Sequence, residues 1–144
     1  MEAIKQIEIV NDLLLINEDQ FAIYHTELNQ SRFDLKLKTL YSFLMSQKKS
    51  FIEDLEAEIG KVDDDTFDFT PGIIYINWVS FRTLANSMRR GWRVSACECN
   101  ELAAKRAYHQ AIAYNITDLD LLHSLKQQFD QLKKNFNEIN KVRI

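Results

Sequence analysis

The chain has 144 residues, of which 46% are hydrophobic and 27% charged, and its net charge at pH 7 is −3. This length suits one domain with a single core, and this composition excludes an intrinsically disordered chain. Charges of both signs are interspersed, so the sequence lacks the basic stripe of nucleic-acid-binding domains, and no apolar run approaches the roughly 18 residues of a membrane span.

Glycine and proline are scarce, with three and one in the chain. Sheet-rich folds need turn residues about every 8–12 positions, so this scarcity predicts an all-α fold of long helices and few loops. The segment Met1–Gln6 lacks the basic-then-apolar layout of a signal peptide. Cys97 and Cys99 lie two apart in a helical stretch, where they point to nearly opposite faces and cannot bridge each other. These features predict a reduced, cytoplasmic location.

The first predicted helix runs from about Glu2 to Asn29. Its apolar residues recur at spacings of three and four. They are Ile4, Ile7, Leu14, Phe21 and Leu28, with a second stripe of Ile9, Leu13, Ile16 and Ile23. Asn11, Glu18 and His25 fall on the intervening positions of the first stripe, which predicts that Glu18 and His25 face inward.

The second predicted helix runs from about Arg32 to Gly60, with Gly60 as its C-terminal stop. Ser31 is its predicted N-cap, and Asp34 completes a capping box. Because only three residues separate these two long helices, we expect them to fold back as an antiparallel hairpin.

A crossover helix follows, with Thr70 as its predicted N-cap and Pro71 at its first position, and it continues to about Met88. Its sequence is unusually apolar. The third long helix covers about Trp92 to Tyr114, and Glu101 lies on its inward side.

The last predicted helix begins at a capping box of Thr117 and Asp120. Its apolar seam alternates spacings of three and four, as in left-handed bundles. The seam is Leu122, Leu125, Phe129, Leu132, Phe136 and Ile139. Residues 1–144 are therefore expected to form one domain, in which two antiparallel hairpins are joined by a helical crossover. This is the arrangement of a ferritin-like four-helix bundle.

Several segments resemble a bacterial family of ferritin-like four-helix-bundle proteins of unknown function. They are Asn11-Asp12-Leu13-Leu14 through Asp19 and Tyr24, then Trp78, and then Cys97-Glu98-Cys99-Asn100-Glu101-Leu102-Ala103-Ala104 running on to Tyr108 and Ala111. The last stretch is similar to the family's pattern of cysteine, glutamate, arginine-glycine-glutamate-aspartate and tyrosine. Here Cys99 and Asn100 replace the arginine-glycine, and Leu102 replaces the aspartate. The resemblance implies the fold but no established activity.

A di-iron carboxylate site needs a glutamate from each of two helices and a Glu-x-x-His pair from each of the other two. Glu18 and Glu101 are predicted to lie at the same level of the bundle, but the second and fourth helices offer no such ligands. Buried carboxylates must be paired or hydrogen-bonded. We therefore favour a polar layer that fixes helix register, and the candidate partners of the two glutamates are Tyr24, Tyr108, Lys48 and His25.

No motif completes an active site. Asp63–Asp65 is predicted to be a solvated acidic loop, and Met88–Arg93 a solvated basic joint between helices. Cys97 lies on the core seam and is predicted to be a small buried hydrophobe.

The favoured hypothesis is a non-enzymatic bundle without a cofactor that self-associates, as a dimer. The crossover has more large apolar groups than one helix can bury on one bundle face, and a leftover apolar patch marks an interface. The interface candidates are Ile73, Ile74, Trp78 and Phe81. The alternative is a metal-binding or redox protein holding iron, manganese or zinc. Its candidate ligands are Glu18, His25, Glu98 and Glu101. A third hypothesis is a small-ligand pocket around the tyrosines.

Overall fold

The computed structural model describes residues 5–31, 34–61, 67–88 and 93–142. Within these ranges the chain forms five α-helices and no strand, which confirms the predicted all-α class. The helices are α1 (Gln6–Gln30), α2 (Leu35–Gly60), α3 (Ile73–Met88), α4 (Arg93–Ala113) and α5 (Leu119–Val142). Among them, none combines the length and the hydropathy that crossing a membrane requires. The predicted acidic loop and most of the predicted basic joint lie outside the described residues.

Side-chain contacts fix the relative directions of the four long helices. The pairs are Tyr24 with Glu101 and Asn17 with Tyr108 for α1, Lys48 with Glu101 and Phe51 with Tyr108 for α2, and Asn135 with Glu101 and Gln128 with Tyr108 for α5. From Glu101 to Tyr108 along α4, the numbers of the contacting residues rise on α2 and fall on α1 and α5. Helices α2 and α4 are therefore parallel, while α1 and α5 run antiparallel to α4. The shorter α3 connects the two parallel helices and packs against α4 and α1.

The buried apolar side chains form two separate clusters. The large cluster lies where α3 packs, and its fully buried members include Leu13, Ile16, Phe51, Leu55, Ile74, Trp78, Ala104, Leu125 and Leu132. The small cluster lies towards the turn between α1 and α2 and consists of Tyr24, Leu37, Leu40, Tyr41, Leu44, Cys97 and Ile139. The side chains that separate the two clusters are polar.

Aspartates immediately before α2 and α5 cap these helices, which corrects two predicted N-caps. Asp34, rather than Ser31, accepts the backbone N–H of Leu37 at 3.1 Å. Asp118, rather than Thr117, accepts the first free N–H groups of α5 at 3.0 and 3.1 Å. A carboxylate in this position both accepts a hydrogen bond and lies at the positive end of the helix dipole.

The start of α3 is held by a residue of α1. The helix begins at Ile73, two residues after the predicted first position, and the carboxylate of Asp12 accepts the backbone N–H groups of Gly72 at 2.8 Å and Tyr75 at 3.3 Å. A β-carbon on Gly72 would lie 2.7 Å from Oδ2 of Asp12, so a larger residue here would have to displace the carboxylate. Burial raises the pKa of Asp12, and the backbone hydrogen bonds oppose this shift.

A second contact joins the same two helices. The hydroxyl of Tyr75 donates to Oδ2 of Asp19 at 2.5 Å, and this hydrogen bond is the main reason that the pKa of Tyr75 rises to about 12. Together the two aspartates attach the crossover helix to α1 at its first turn.

Removing the remote cap should weaken the attachment of α3. We expect Asp12→Ala to lower the free energy of unfolding by about 1–2 kcal/mol, since it leaves the first N–H groups of α3 without their acceptor. Urea unfolding followed by circular dichroism measures this loss. The control is Asp68→Ala, which removes an exposed carboxylate and should change stability little. Equal stabilities of the two variants would contradict the capping role.

Candidate functional site

A layer of polar side chains crosses the interior between the two apolar clusters. We call Gln20, Lys48, Glu101 and Asn135 the polar layer; all four are at most 1% exposed. Each occupies a position between a small-cluster and a large-cluster residue of its own helix. The flanking pairs are Ile16 and Tyr24 on α1, Leu44 and Phe51 on α2, Cys97 and Ala104 on α4, and Leu132 and Ile139 on α5. The layer therefore marks one level of all four long helices.

The carboxylate of Glu101 is the centre of this layer. Its Oε1 accepts from Nζ of Lys48 at 3.0 Å and from Nδ2 of Asn135 at 2.6 Å. Its Oε2 accepts from the hydroxyl of Tyr24 at 2.5 Å and from Nε2 of Gln20 at 3.1 Å. The donors come from α1, α2 and α5, so this one carboxylate contacts all three of the other long helices.

The ammonium group of Lys48 has its own set of partners. Besides Glu101, it donates to Oε1 of Gln47 at 3.1 Å and lies 5.7 Å from the centre of the Phe51 ring. Gln47 in turn exchanges two hydrogen bonds with Asn135, at 2.7 and 3.0 Å. Because the ammonium and the carboxylate neutralise each other, the layer places no net charge in the core. A buried pair of this kind tolerates little change in geometry, since each partner is costly without the other.

A smaller polar contact lies deeper in the large cluster. The hydroxyl of Tyr108 accepts from Nδ2 of Asn17 at 3.0 Å and donates to Oε1 of Gln128 at 2.7 Å. Burial raises the pKa of Tyr108, so the phenol stays protonated and can donate. This contact joins α1, α4 and α5 two turns of α4 away from Glu101.

Cys97 is the cysteine of the small cluster and is 1% exposed, as predicted for a small buried hydrophobe. Burial, followed by the nearby Glu101 carboxylate, raises the pKa of its thiol far above the usual range. A thiol in this state is a poor nucleophile and a poor metal ligand. Neither cysteine forms a disulfide.

The structure confirms part of the predicted site. Glu101 is buried, and Lys48 and Tyr24 are two of its partners, as predicted. The prediction for Glu18 and His25 is wrong, because both side chains are exposed on the outer side of α1. The buried side of α1 instead follows the second apolar stripe, so that Asn17 and Gln20 face inward in place of Glu18.

The predicted metal ligands do not come together. Glu98 lies one turn before Glu101 and is half-buried, while Glu18 and His25 point away from the interior. No group of three metal-ligating side chains occurs within the part of the chain that the structure describes. The tyrosines also do not surround an open pocket, since Tyr24 and Tyr108 are fully buried within the core.

The predicted interface residues of α3 divide into buried and accessible ones. Ile74 and Trp78 are at most 1% exposed and belong to the large cluster, so neither is accessible to a partner. Phe81 is half-buried, with the guanidinium of Arg106 4.6 Å from its ring centre. Ile73 remains 47% exposed. The side chains of Ile74 and Trp78 point towards α1 and α4, against which α3 packs.

The outer face of α3 carries no charge along its whole described length. We call this the neutral face; its exposed residues are Ile73, Ile76, Asn77, Ser80, Thr83, Leu84 and Ser87. Ile76 and Leu84, which are 52% and 59% exposed, were not among the predicted interface residues. A groove of about 800 Å³ separates this face from α4, and Ala103 and Ala107 are among the residues that line it.

Comparisons with family models, curated proteins and solved structures find no match to this chain.

The buried pair should behave as one unit. Lys48→Met leaves a carboxylate in the core without its cation, and Glu101→Gln leaves an ammonium without its anion. We expect each to lower the free energy of unfolding by about 3–5 kcal/mol. The double variant should lose much less than the sum, because no unpaired charge remains.

Urea unfolding of the four proteins gives the coupling energy between the two residues. The matched control is the exposed pair of Lys133 and Asp130, which has the same 3.0 Å separation. Lys133→Met and Asp130→Asn should be nearly additive, since solvent screens an exposed pair. Additive losses at Lys48 and Glu101 as well would contradict the paired core.

Proposed function

We propose that this protein is a non-catalytic bundle of the ferritin-like type that acts through self-association. The helix directions support this architecture: α1 and α2 form one antiparallel pair, α4 and α5 form another, and α3 connects the parallel helices α2 and α4. Ferritin-like bundles place their metal ligands on the inner sides of all four long helices at one level. The polar layer likewise lies on the inner sides of all four long helices at one level.

The composition of the polar layer supports a non-catalytic role. Its single carboxylate, Glu101, already accepts two hydrogen bonds at each oxygen, and one of these comes from the ammonium of Lys48. A metal ion at Glu101 would have to displace donors that already occupy both carboxylate oxygens, and it would bring a second positive charge next to this ammonium. The remaining side chains of the layer are amides, and these are weak ligands for transition metals.

The neutral face is the observation that supports self-association. In a two-fold contact the same surface is used by both copies, so a surface whose charges all have one sign repels itself. A face with three exposed aliphatic side chains and no charge avoids this repulsion. Charged residues are also depleted from the cores of protein interfaces, and here 27% of the chain is charged.

The shape of the same region fits a two-fold contact. Ser80 lies at the middle of the neutral face, and the adjacent groove includes the small side chains of Ala103 and Ala107. Arg106 and His109 of α4 also line the groove, so its α4 side is polar while its α3 side is neutral. A ridge of one copy can therefore enter the groove of the other, and the reverse contact follows by symmetry. The proposed occupant of the groove is the neutral face of a second copy.

Sedimentation velocity tests this proposal. At micromolar concentration we expect a species with twice the chain mass of 16.9 kDa. Ile76→Glu should shift it to the monomer, because it places a charge against its own copy. Leu119→Glu is the control, since Leu119 is 75% exposed at the start of α5 and lies off the neutral face. A monomeric wild-type protein, or dissociation by both variants, would contradict the proposed contact.

Elemental analysis tests the non-catalytic part separately. In protein purified without chelator, we expect iron, manganese and zinc to lie far below one equivalent per chain. The content should be the same in Glu101→Gln, because Glu101 binds an ammonium rather than a metal. One equivalent of metal that disappears in Glu101→Gln would support the metal-binding alternative instead.

A further inference from the structure

The charges of α2 are unevenly distributed along the helix. Its charged residues up to Lys49 are all lysines, Lys36, Lys38, Lys48 and Lys49, and those after Lys49 are all acids, Glu53, Asp54, Glu56 and Glu58. Lys48 is buried and paired with Glu101, so the surface at the start of α2 carries Lys36 and Lys38. The first half is antiparallel to the last turns of α5, which carry the exposed Lys134 and Lys141. Among the described residues, the four lysines Lys36, Lys38, Lys134 and Lys141 outnumber the two acids Asp34 and Glu138 where α2 begins and α5 ends. A chain of net charge −3 therefore has a locally basic surface here.

An apolar groove lies within this basic surface. We call it the α2/α5 groove; its volume is about 470 Å³, and its lining is Leu35, Lys36, Thr39, Leu40, Phe43, Glu138, Lys141 and Val142. Leu35 is 77% exposed and Phe43 is 45% exposed, so two large apolar side chains contact water here. Leu40 is buried at 4% and belongs to the small cluster, which makes the groove continuous with the core.

Lysine side chains lie on both sides of the α2/α5 groove. Lys36 is exposed on the α2 side, and Lys141 is exposed on the α5 side. Lys141 pairs with Glu138 at 3.0 Å. Because this ion pair is exposed, it contributes little to stability, so an incoming anion can replace Glu138 as the partner of Lys141 at little cost. Lys134 lies on the same face of α5, one turn before Glu138. The groove thus combines an apolar floor with an excess of positive charge at its edges.

We propose that the α2/α5 groove binds a single-chain anionic amphiphile of the fatty-acid class. The alkyl chain lies along Leu35, Leu40 and Phe43, and the carboxylate is held at the edge by Lys36 or Lys141. The chemistry of the groove requires both parts of such a ligand, since an apolar chain covers the exposed side chains and an anion balances the lysines.

Size favours this ligand over larger partners. Small-molecule sites occupy roughly 300–1,000 Å³, and this groove lies within that range. A stable protein interface needs upwards of about 1,000 Å² of buried surface, whereas the apolar part here comprises two exposed side chains and a concave floor. The concave shape also disfavours a bilayer, because membrane-binding faces project their apolar groups outward into the acyl region.

Calorimetric titration of the intact chain with octanoate, decanoate and dodecanoate tests the proposal. Each methylene that the groove buries should increase the affinity by about fourfold, so dodecanoate should bind most tightly of the three. The cation dodecyltrimethylammonium has the same alkyl chain and should not bind. An affinity that does not depend on chain length, or equal binding of the cation, would overturn the proposal.

Variants locate the site. Lys36→Glu combined with Lys141→Glu should weaken dodecanoate binding by at least about tenfold, because both cations are reversed. Phe43→Ser should weaken it by removing apolar surface that is already exposed in the free protein. The controls are Lys126→Glu, an exposed lysine of α5 outside the groove, and Leu119→Ser. Both should bind like the wild type, and circular dichroism confirms that each variant is folded.

Two further measurements distinguish other partners. Sedimentation with phosphatidylserine vesicles, compared with phosphatidylcholine vesicles, detects binding to an anionic bilayer. Bilayer binding without binding of free dodecanoate would overturn the proposal in favour of a membrane surface. Binding of polyglutamate with no binding of dodecanoate would overturn it in favour of an acidic peptide. The test does not depend on self-association, because Ile76→Glu should bind dodecanoate as the wild type does.

Discussion

The buried ion pair of Lys48 and Glu101 is the constraint on which the packing of the four long helices depends. The carboxylate accepts from side chains of α1, α2 and α5, so each helix has one position that must face it. A shift of one residue along α1 would rotate Gln20 by about 100° away from the layer and leave a donor and an acceptor unpaired. Apolar contacts can repack after such a shift, whereas these hydrogen bonds cannot. The pair therefore selects one register among several that hydrophobic packing alone would allow.

The position of the pair also explains why the core is divided. Apolar side chains on either side of the layer cannot contact one another through it, so they form a large cluster and a small cluster. The large cluster has the additional support of α3, through Ile74 and Trp78. In the part of the chain that the structure describes, the small cluster includes no residue of α3. Leu35 and Phe43 lie beside this cluster, in the groove between α2 and α5, and both are exposed.

Much of this arrangement follows from residue spacing, and the errors have identifiable causes. Glu101 was predicted to be buried because it lies on the apolar seam of its helix, and Lys48 was predicted as a partner because it lies at the same level. The error at Glu18 arose because α1 carries two apolar stripes, and Asn17 and Gln20 interrupt the one that is buried. A search for apolar periodicity selects the stripe with the most regular apolar residues. A buried amide such as Asn17 or Gln20 makes the stripe that is buried look less apolar, so the wrong stripe is predicted to face inward.

The helix caps were also only partly predictable from the sequence. Asp34 and Asp118 lie directly before their helices, so a local rule can find them once aspartate is preferred to serine or threonine. Asp12 lies 60 residues before Gly72, and no local pattern connects the two. Only the close approach of α1 to the start of α3 brings them together. The glycine is the one trace of this contact in the sequence, since any larger side chain would meet the carboxylate.

The crossover helix α3 has one side packed against the bundle and one side exposed. Its side towards α1 and α4 is fixed by Trp78 and by two arginines, Arg82 and Arg106, which lie 4.5 and 4.6 Å from the rings of Trp78 and Phe81. These contacts place the only charge of α3 at its flank. The residues of α3 that remain on the outside are neutral. A helix that only covered the bundle would be expected to face water with charged side chains, as α5 does with Lys126 and Lys134. The absence of charge on the described outer face of α3 is thus a property that packing against the bundle does not require, and the proposed contact between two copies rests on it.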